Sequence, residues 1–234
     1  MASIEMRYRL AFVSVMHGYK AMKQYRFWIG TYTSPGDHAH AIQGEGLMCG
    51  TLDAATGEMK IHPASAETPD PSYLTCSQDR LYAVAETMGR AGEVHAYAIE
   101  NEDKLRKLSV SASDGINACF ISLHGDGLLV ANYMTDHVVF LRPDETGQWS
   151  AQSLDRYLGS GPHEIRQRKP HPHHCLYLGV SDQIAVCDLG SDRVWLHAAT
   201  ASTVESAIQG SIVVPPGTGP RHALSFGEHL YVLG

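Results

Sequence analysis

A pair of short apolar segments recurs along the chain, and this repeat constrains the fold more than any other feature. In each pair, the first segment mostly begins near a proline and the second follows it after a turn. The second segments are residues 81–86, 128–133, 183–188 and 229–234, with an earlier copy at residues 27–32. Their central residues are 55, 46, 56 and 46 positions apart, counted between Ile29, Val84, Val130, Val186 and Val232. Repeats of this length are typical of β-propeller blades.

Each repeat contains enough strand-like sequence for a four-stranded sheet. The first strands are predicted at residues 71–77, 117–123, 172–178 and 220–226. The third and fourth strands are predicted at residues 46–52 and 58–61, 92–99 and 104–110, 137–141 and 148–153, and 193–198 with a weaker partner near 211–214. Short turns such as residues 55–57 and 145–147 would join them as hairpins. We therefore predict an all-β protein, a β-propeller of four-stranded antiparallel blades.

The series comprises about four blades and part of a fifth, and both of its ends look unfinished. The copy at residues 27–32 has no recognisable inner strand before it, and residues 1–24 match no part of the repeat. Residues 229–234 end the sequence as a fifth repeat begins. We expect residues 1–24 to be a disordered or non-native extension. We expect residues 25–234 to be part of a longer ring, whose open blade edges would favour self-association.

Composition and charge exclude several functional classes. The 234 residues are 44% hydrophobic and only 18% charged, with 22 Gly and 11 Pro, which suits many short strands and turns. A net charge of -7 argues against nucleic acid and anionic membranes as partners. The N-terminal apolar run is too short for a membrane span and lacks a clear cleavage site, so we expect a cytoplasmic protein. The five cysteines form no CxxC pair and are predicted to be buried, reduced thiols.

A dense group of histidines and basic residues stands out in this acidic chain. Residues 163–174 contain four of the 14 histidines and three of the 18 Lys and Arg residues. Such a cluster indicates either a solvated loop or a site for an anionic ligand. Pro170 holds the backbone extended, so strand alternation would place His171 and His173 on one face and direct His174 away from it.

Further polar residues lie at related positions of the repeat. Arg221 and His222 begin the inner strand one blade beyond the histidine pair. Since inner strands line the central channel of a propeller, both blades are predicted to present Arg and His to the same channel. Glu86 and Asp188 end second strands and are candidates for substrate binding, although either could instead hydrogen-bond neighbouring turns. Asn132, at a third strand end, is expected to be structural.

A series of short motifs follows the repeat from about residue 27 to the end of the chain. The motifs are IGTYTS from Ile29, PSYL from Pro71, LYAVAE from Leu81, LLVANY from Leu128, RQ followed by PHPHH, DLG from Asp188 with Asp192, and PGTGPRH from Pro216. This ordered series resembles the lactonase-type seven-bladed propellers, a family that includes bacterial 6-phosphogluconolactonases and fungal carboxymuconate cyclases. The chain departs from the family pattern in reading PHPH for PHAH and in having Asp70 where Asn is usual.

The resemblance implies hydrolysis of a sugar lactone, most directly 6-phosphogluconolactone to 6-phosphogluconate in the pentose phosphate pathway. Opening a lactone requires a base that activates water and a positive partner for the oxyanion. His171 or His173 is the candidate base, with His222 in reserve. Arg166 and Arg221 are candidates to hold a phosphate or carboxylate through paired N–H donors. The reaction requires neither a metal nor another cofactor.

Three other interpretations of the same residues stay open. A cyclase or lactonase acting on a carboxylated, muconate-type substrate would use the same arginines to bind carboxylates. A non-catalytic propeller that serves as an interaction scaffold would not depend on the histidines. A metal site at His171 and His173 would need a third ligand, and none stands at a fixed spacing from them. Fold class alone does not separate these functions.

Overall fold

Strands are the only regular elements in the part of the chain that the computed structural model describes, namely residues 12–15, 24–34, 44–63, 66–101, 104–144 and 148–234. They form four four-stranded sheets and one two-stranded sheet. No helix in these ranges has the length and apolar character needed to cross a membrane. The chain divides into two compact units. The first runs to Met88 and includes Val94–Val110, and the second comprises Gly89–Glu93 and Ser111–Gly234.

The first unit contains one complete sheet and most of another. The strands of the first sheet, in spatial order, are β1 (Phe12–Val15), β2 (Gln24–Gly30), β3 (Leu47–Asp53) and β4 (Met59–Pro63). The strands of the second are β5 (Leu74–Cys76), β6 (Arg80–Ala85), β7 (Ala91–Ile99) and β8 (Leu105–Ile116). In both sheets the spatial order follows the chain order, as in the up-and-down blade of a propeller.

The first sheet corrects one prediction, because its inner strand is present. β1 pairs antiparallel with β2, from Phe12↔Gly30 to Val15↔Phe27. The expectation that the copy at residues 27–32 lacks an inner partner is therefore wrong. Backbone pairing along β2 needs only a short extended segment to satisfy its N–H and C=O groups, so β1 need not resemble the other inner strands in sequence. The rest of the proposed extension, residues 1–11 and 16–23, lies outside the described residues.

The second unit contains two complete sheets and a final hairpin. The third sheet is formed by β9 (Ala118–His124), β10 (Gly127–Asn132), β11 (Val138–Pro143) and β12 (Trp149–Ser153). The fourth is formed by β13 (Pro172–Leu178), β14 (Gln183–Asp188), β15 (Arg193–Ala199) and β16 (Val204–Val213). The hairpin consists of β17 (His222–Phe226) and β18 (His229–Leu233). The predicted all-β, four-stranded blades are confirmed.

The outer strand of the fourth sheet begins earlier than predicted. β16 pairs with β15 from Ala199↔Val204 to Arg193↔Val213, whereas the sequence suggested a partner only near residues 211–214. Two register shifts interrupt the pairing, next to His197. Most of β16 is at least partly exposed. An outer strand of this kind buries little apolar surface, so it shows a weak hydrophobic pattern.

The core lies along the middle strands of the sheets. All of β10 is buried, and so is most of β6 and β14, whereas β4 is exposed along its whole length. Strands buried on both faces give continuous apolar runs, which explains why the repeat was visible in the sequence. All five cysteines are free thiols and four of them are buried, as predicted, with Cys76 half-buried.

Candidate functional site

A recurring backbone hydrogen bond fixes one residue shortly before each of the inner strands β5, β9 and β13. Its carbonyl accepts a bond from the first residue after the second strand of the same blade. The pairs are Glu86 N to Asp70 O (3.0 Å), Tyr133 N to Asn117 O (2.8 Å) and Leu189 N to His171 O (3.1 Å). Asp70 and Asn117 have φ angles of 43° and 55°, a left-handed conformation that Asp and Asn tolerate better than most residues. We call Asp70, Asn117 and His171 the latch residues.

The side chain of each latch residue bonds to the turn after the second strand of the preceding blade. Asp70 Oδ1 accepts from the backbone N of Thr33 (2.8 Å), and Asn117 Oδ1 accepts from that of Gly89 (2.8 Å). His171 Nδ1 lies 2.7 Å from the carbonyl oxygen of Tyr133. Because a carbonyl can only accept, Nδ1 carries the proton and Nε2 of His171 is left with the lone pair.

Three further imidazole rings lie close together on β13 and β17. The ring centroid of His222 is 5.2 Å from that of His173 and 5.1 Å from that of His174. The His174 ring also packs against Phe120, at 4.1 Å. A bulge between Pro172 and His174 interrupts the strand alternation. The sequence directed His174 away from His171 and His173; in the structure its ring contacts those of Phe120 and His222, and the strand is not the regular one that this prediction assumed.

Tyr133 connects the two parts of this arrangement. Its ring stacks on His171 with centroids 4.5 Å apart and meets the ring of His173 edge-on at 5.8 Å. His171 and His173 therefore share Tyr133 as a neighbour, in a stretch that the bulge makes irregular. We call His171, His173, His174 and His222 the histidine cluster.

Burial keeps the histidine cluster neutral. Desolvation is the main cause of a lowered pKa at each of its four members. The pKa of His174 falls to about 3 and that of His173 lies well below the usual 6.5. The buried Nδ1 atoms of these two residues have no hydrogen-bond partner within the described chain. A charged imidazole would be costly there, so both rings are neutral at physiological pH.

The two candidate arginines lie near different members of the histidine cluster. After burial, the charge of Arg221 further lowers the pKa of His173 and of His222. Arg166, together with Lys169, acts in the same direction on His171. Both arginines are exposed, and in the described part of the chain neither guanidinium forms a hydrogen bond or an ion pair. Two unpaired cations beside neutral imidazoles suit an anionic ligand.

The two candidate carboxylates are already engaged by protein groups. Asp188 is fully buried and accepts bonds from His171 N (2.7 Å), Gly190 N (3.0 Å), Trp195 Nε1 (3.0 Å) and the Ser191 hydroxyl. It therefore holds the backbone of His171, which favours a structural role over substrate binding. Glu86, in the first unit, accepts a bond from the Tyr32 hydroxyl at 2.8 Å.

Other polar residues have structural partners as well. Asn132 is fully buried and exchanges side-chain hydrogen bonds with Ser113, in agreement with its expected structural role. Two buried residues that the sequence analysis did not select, Gln167 and Asp192, bond to the loops that carry the arginines. Gln167 belongs to the RQ motif and Asp192 to the motif that begins at Asp188. Only their burial and contacts distinguish them from solvated loop residues.

The histidine cluster does not resemble a metal centre. Within the described residues, no group of three or more His, Cys, Asp or Glu side chains is arranged to hold a metal ion. Its rings pack on Tyr133 and Phe120. The cluster is a set of packed imidazoles whose lowered pKa values favour the neutral form.

The chain is similar in sequence to known lactonases. It matches the family described as "Lactonase, 7-bladed beta-propeller" over residues 26–234. It is 30% identical over 207 residues to a 6-phosphogluconolactonase of Bacillus subtilis, covering 86% of this chain and 56% of that protein. It is 26% identical over 181 residues to a probable 6-phosphogluconolactonase of Arthroderma benhamiae, covering 75% and 45%. The chain thus spans about half the length of the curated relatives it matches.

Solved structures show the same fold. A putative 6-phosphogluconolactonase from Bacteroides fragilis superposes with a TM-score of 0.76 at 25% identity, covering 90% of this chain and 61% of that one. The periplasmic gluconolactonase of Pseudomonas aeruginosa gives a TM-score of 0.74 at 25% identity, with the same two coverages. With four-stranded blades, the ordered motifs and the family match over residues 26–234, the chain belongs to the family of lactonases built on a seven-bladed β-propeller.

Proposed function

We propose that this chain carries the active site of an enzyme that hydrolyses a sugar lactone, with 6-phosphogluconolactone as its substrate. This proposal rests on one observation: neutral imidazoles that are buried or half-buried lie near two guanidinium groups that have no protein partner in the described residues. A neutral imidazole can accept a proton from water, and a free guanidinium can hold an anionic group.

His171 is the proposed general base. Its Nδ1 proton is held by the Tyr133 carbonyl, so Nε2 is the nitrogen that can accept a proton. Its lowered pKa keeps it unprotonated at neutral pH. His173 and His174 are weaker bases because their pKa values are lowered further, and we assign them to packing and water exclusion. His222, which is half-buried, is the second candidate.

The proposed reaction is a general-base hydrolysis. Nε2 of the base takes a proton from water as the water oxygen bonds to the lactone carbonyl carbon. The negative charge that develops on the carbonyl oxygen requires a hydrogen-bond donor or a positive partner. The ring C–O bond then breaks, and the leaving alkoxide receives the proton from the imidazolium. The product is the open hydroxy acid, and the imidazole returns to its neutral form.

Arg166 and Arg221 are the proposed ligands of the substrate's anionic group. A guanidinium can bind a phosphate or a carboxylate through two parallel N–H bonds, so the same pair could serve a phosphosugar lactone or a carboxylated lactone. The names of the relatives favour the phosphosugar. A carboxylated, muconate-type lactone is the alternative, and substrate comparison distinguishes the two.

A cytoplasmic location is part of this proposal. Phosphorylated sugars are substrates of intracellular metabolism, and the five free cysteines suit a reducing compartment. One similar structure is named as a periplasmic gluconolactonase. A preference for phosphorylated over unphosphorylated gluconolactone would therefore support the cytoplasmic assignment.

The decisive test replaces His171 while keeping its latch bond. His171→Asn supplies an amide N–H that can donate to the Tyr133 carbonyl in place of Nδ1. We expect kcat for 6-phosphogluconolactone to fall about 100-fold or more, the usual contribution of a general base, with an unchanged melting temperature. His222→Asn serves as the comparison for the second candidate base.

Three outcomes count against parts of the proposal. If the protein and His171→Asn both hydrolyse the lactone only at the spontaneous rate, the enzyme assignment is wrong. If His171→Asn is fully active and His222→Asn is not, the base is His222. If unphosphorylated or muconate-type lactones react faster than the phosphosugar, the substrate assignment is wrong.

A further inference from the structure

Two buried polar side chains lie between the loops that carry the candidate arginines. Arg166 belongs to the loop that leads into β13, and Arg221 to the loop that leads into β17. Gln167 is only 2% exposed, although both of its sequence neighbours are exposed. Asp192, in the turn between β14 and β15, is 5% exposed. A carboxylate and an amide buried this deeply require hydrogen-bond partners, and their partners connect the two loops.

The carboxylate of Asp192 accepts hydrogen bonds from both loops. Its Oδ1 accepts from Nε2 of Gln167 (2.8 Å) and from the backbone N of Gly219 (2.8 Å). Its Oδ2 accepts from the backbone N of Gly217 (2.7 Å). Gly217 and Gly219 have φ angles of 82° and 58°, which glycine adopts without strain, so both N–H groups can face the carboxylate. One side chain thus contacts the neighbour of Arg166 and a residue two positions before Arg221.

Gln167 fixes the other side of this connection. Its Oε1 accepts from His163 N at 3.0 Å, and its Nε2 also donates to the carbonyl of Leu189 at 2.9 Å. A Cβ at Gly161 would lie 2.5 Å from the Gln167 side chain and 2.7 Å from that of Asp192, so the network is closely packed. Gln167 therefore fixes the turn that carries Arg166, and Asp192 in turn bonds to Gln167.

The donors to Asp192 are all neutral. They are two backbone N–H groups and one amide, so the carboxylate positions the loops without forming an ion pair with either arginine. An aspartate paired with Arg166 or Arg221 would compete with an external anion for that guanidinium. The observed arrangement fixes both loops and leaves both cations free of a protein carboxylate in the described residues.

We infer that Asp192 is a positioning residue that sets the spacing of Arg166 and Arg221 and thereby the specificity of the proposed site for an anionic substrate. This inference rests on the proposed function in assigning the anion to these arginines. Without the carboxylate, the two loops lose their common acceptor and each arginine moves with its own loop. Preorganised paired donors would then be replaced by independent ones, which bind an anion more weakly.

The test compares the kinetics of Asp192→Ala and of the wild-type protein on phosphorylated and unphosphorylated gluconolactone. We expect KM for 6-phosphogluconolactone to rise about tenfold or more, since the loss of one hydrogen bond to a charged acceptor costs enough free energy for a change of this size. We expect kcat, and KM for the unphosphorylated lactone, to change much less. Calorimetric titration with 6-phosphogluconate and with gluconate measures the same preference without relying on catalysis.

Two further variants separate positioning from general destabilisation. Tyr97→Phe removes a buried hydroxyl that bonds to Thr68 and to the carbonyl of Glu67 in the first unit, so it lowers stability without contacting either loop. It should leave the phosphate preference unchanged. Asp192→Asn keeps Oδ1 as an acceptor for Gln167 and Gly219 and loses only the bond to Gly217. It should recover most of the preference that Asp192→Ala loses.

The outcomes distinguish this inference from the proposed function. If the protein hydrolyses the phosphorylated lactone and Asp192→Ala keeps the full phosphate preference, the inference is wrong and the function stands. If the protein shows no lactonase activity but binds 6-phosphogluconate, and Asp192→Ala weakens that binding, the inference stands and the function is wrong. If Tyr97→Phe loses the preference equally, Asp192 has only a structural role and the inference is wrong.

Discussion

His171 combines a structural bond and an available basic nitrogen in one side chain. Its Nδ1 bonds to the Tyr133 carbonyl, in the position where Asp70 and Asn117 use side-chain oxygens to bond to backbone N–H groups. An imidazole has two nitrogens, so one can hold the turn while the other is left for chemistry. The neighbouring His174 differs, because its Nδ1 is buried without a hydrogen-bond partner in the described residues and its ring packs on Phe120.

At the residue scale, His174 is predicted to make the protein sensitive to acid. Its pKa is lowered from 6.5 to about 3, so the unfolded chain binds a proton that the folded chain does not. The stability contributed by the neutral ring is therefore complete above pH 6.5 and declines as the pH falls towards 3. We expect His174→Phe, which keeps an aromatic ring against Phe120, to reduce the loss of stability between pH 7 and pH 5 by about 2 kcal/mol.

Urea denaturation at the two pH values measures this difference. The other buried histidines are retained in both proteins, so their contribution cancels in the comparison. An equal loss of stability in wild type and His174→Phe would show that His174 is readily protonated in the folded state.

At the scale of elements, the strands were far easier to predict from the sequence than the connections that form the site. The apolar runs of β6, β10 and β14 revealed the repeat because these strands are buried on both faces. β16 was shortened because an outer strand carries little apolar pattern, and β1 was missed because its segment does not resemble the other inner strands. The bulge at His173 was not predictable, since its sequence is also compatible with regular alternation.

The latch bonds are predicted to stabilise the connections between elements. Asp70 Oδ1 accepts from Thr33 N, Ser34 N and the Thr33 hydroxyl, and Asp70 is 2% exposed. Asp70→Ala leaves these donors without their acceptor and places alanine at a φ of 43°, so we expect a loss of about 2 to 3 kcal/mol in the free energy of unfolding.

Asp70→Asn is the matched control for this variant. All three bonds reach a single oxygen, which the Asn amide retains, and Asn tolerates the left-handed conformation. The free energy of unfolding of Asp70→Asn should therefore lie within about 1 kcal/mol of that of the wild type. Equal losses for the Ala and Asn variants would mean that the charge of Asp70, and not its acceptor geometry, stabilises the turn.

At the scale of the whole molecule, the 234-residue chain exposes a large apolar surface on its final hairpin. Leu224, Phe226, Tyr231 and Leu233 are each more than half exposed. A two-stranded sheet with such residues on its surface has little stability of its own and tends to pair with other chains. We predict that this chain associates with itself as its concentration rises.

Light scattering over a concentration series tests this prediction. Phe226→Lys, which replaces the most exposed of these side chains by a charged one, should shift the distribution towards the monomer. Ser225→Lys, on the same strand, adds the same charge without removing apolar surface and is the control. A chain that stays monomeric at every concentration would contradict the prediction.

The latch residues also bear on how such an active site can arise. Asp70, Asn117 and His171 occupy equivalent points of three successive repeats and bond to the preceding turn, Asp70 and Asn117 as acceptors and His171 as a donor. An exchange between Asn and His at one of these points would alter the chemistry of the side chain, whereas the bond from the residue's backbone carbonyl to the second strand's end recurs at all three points. A repeated fold of this kind therefore offers several equivalent points, one in each repeat, at which an imidazole such as that of the proposed base can be placed.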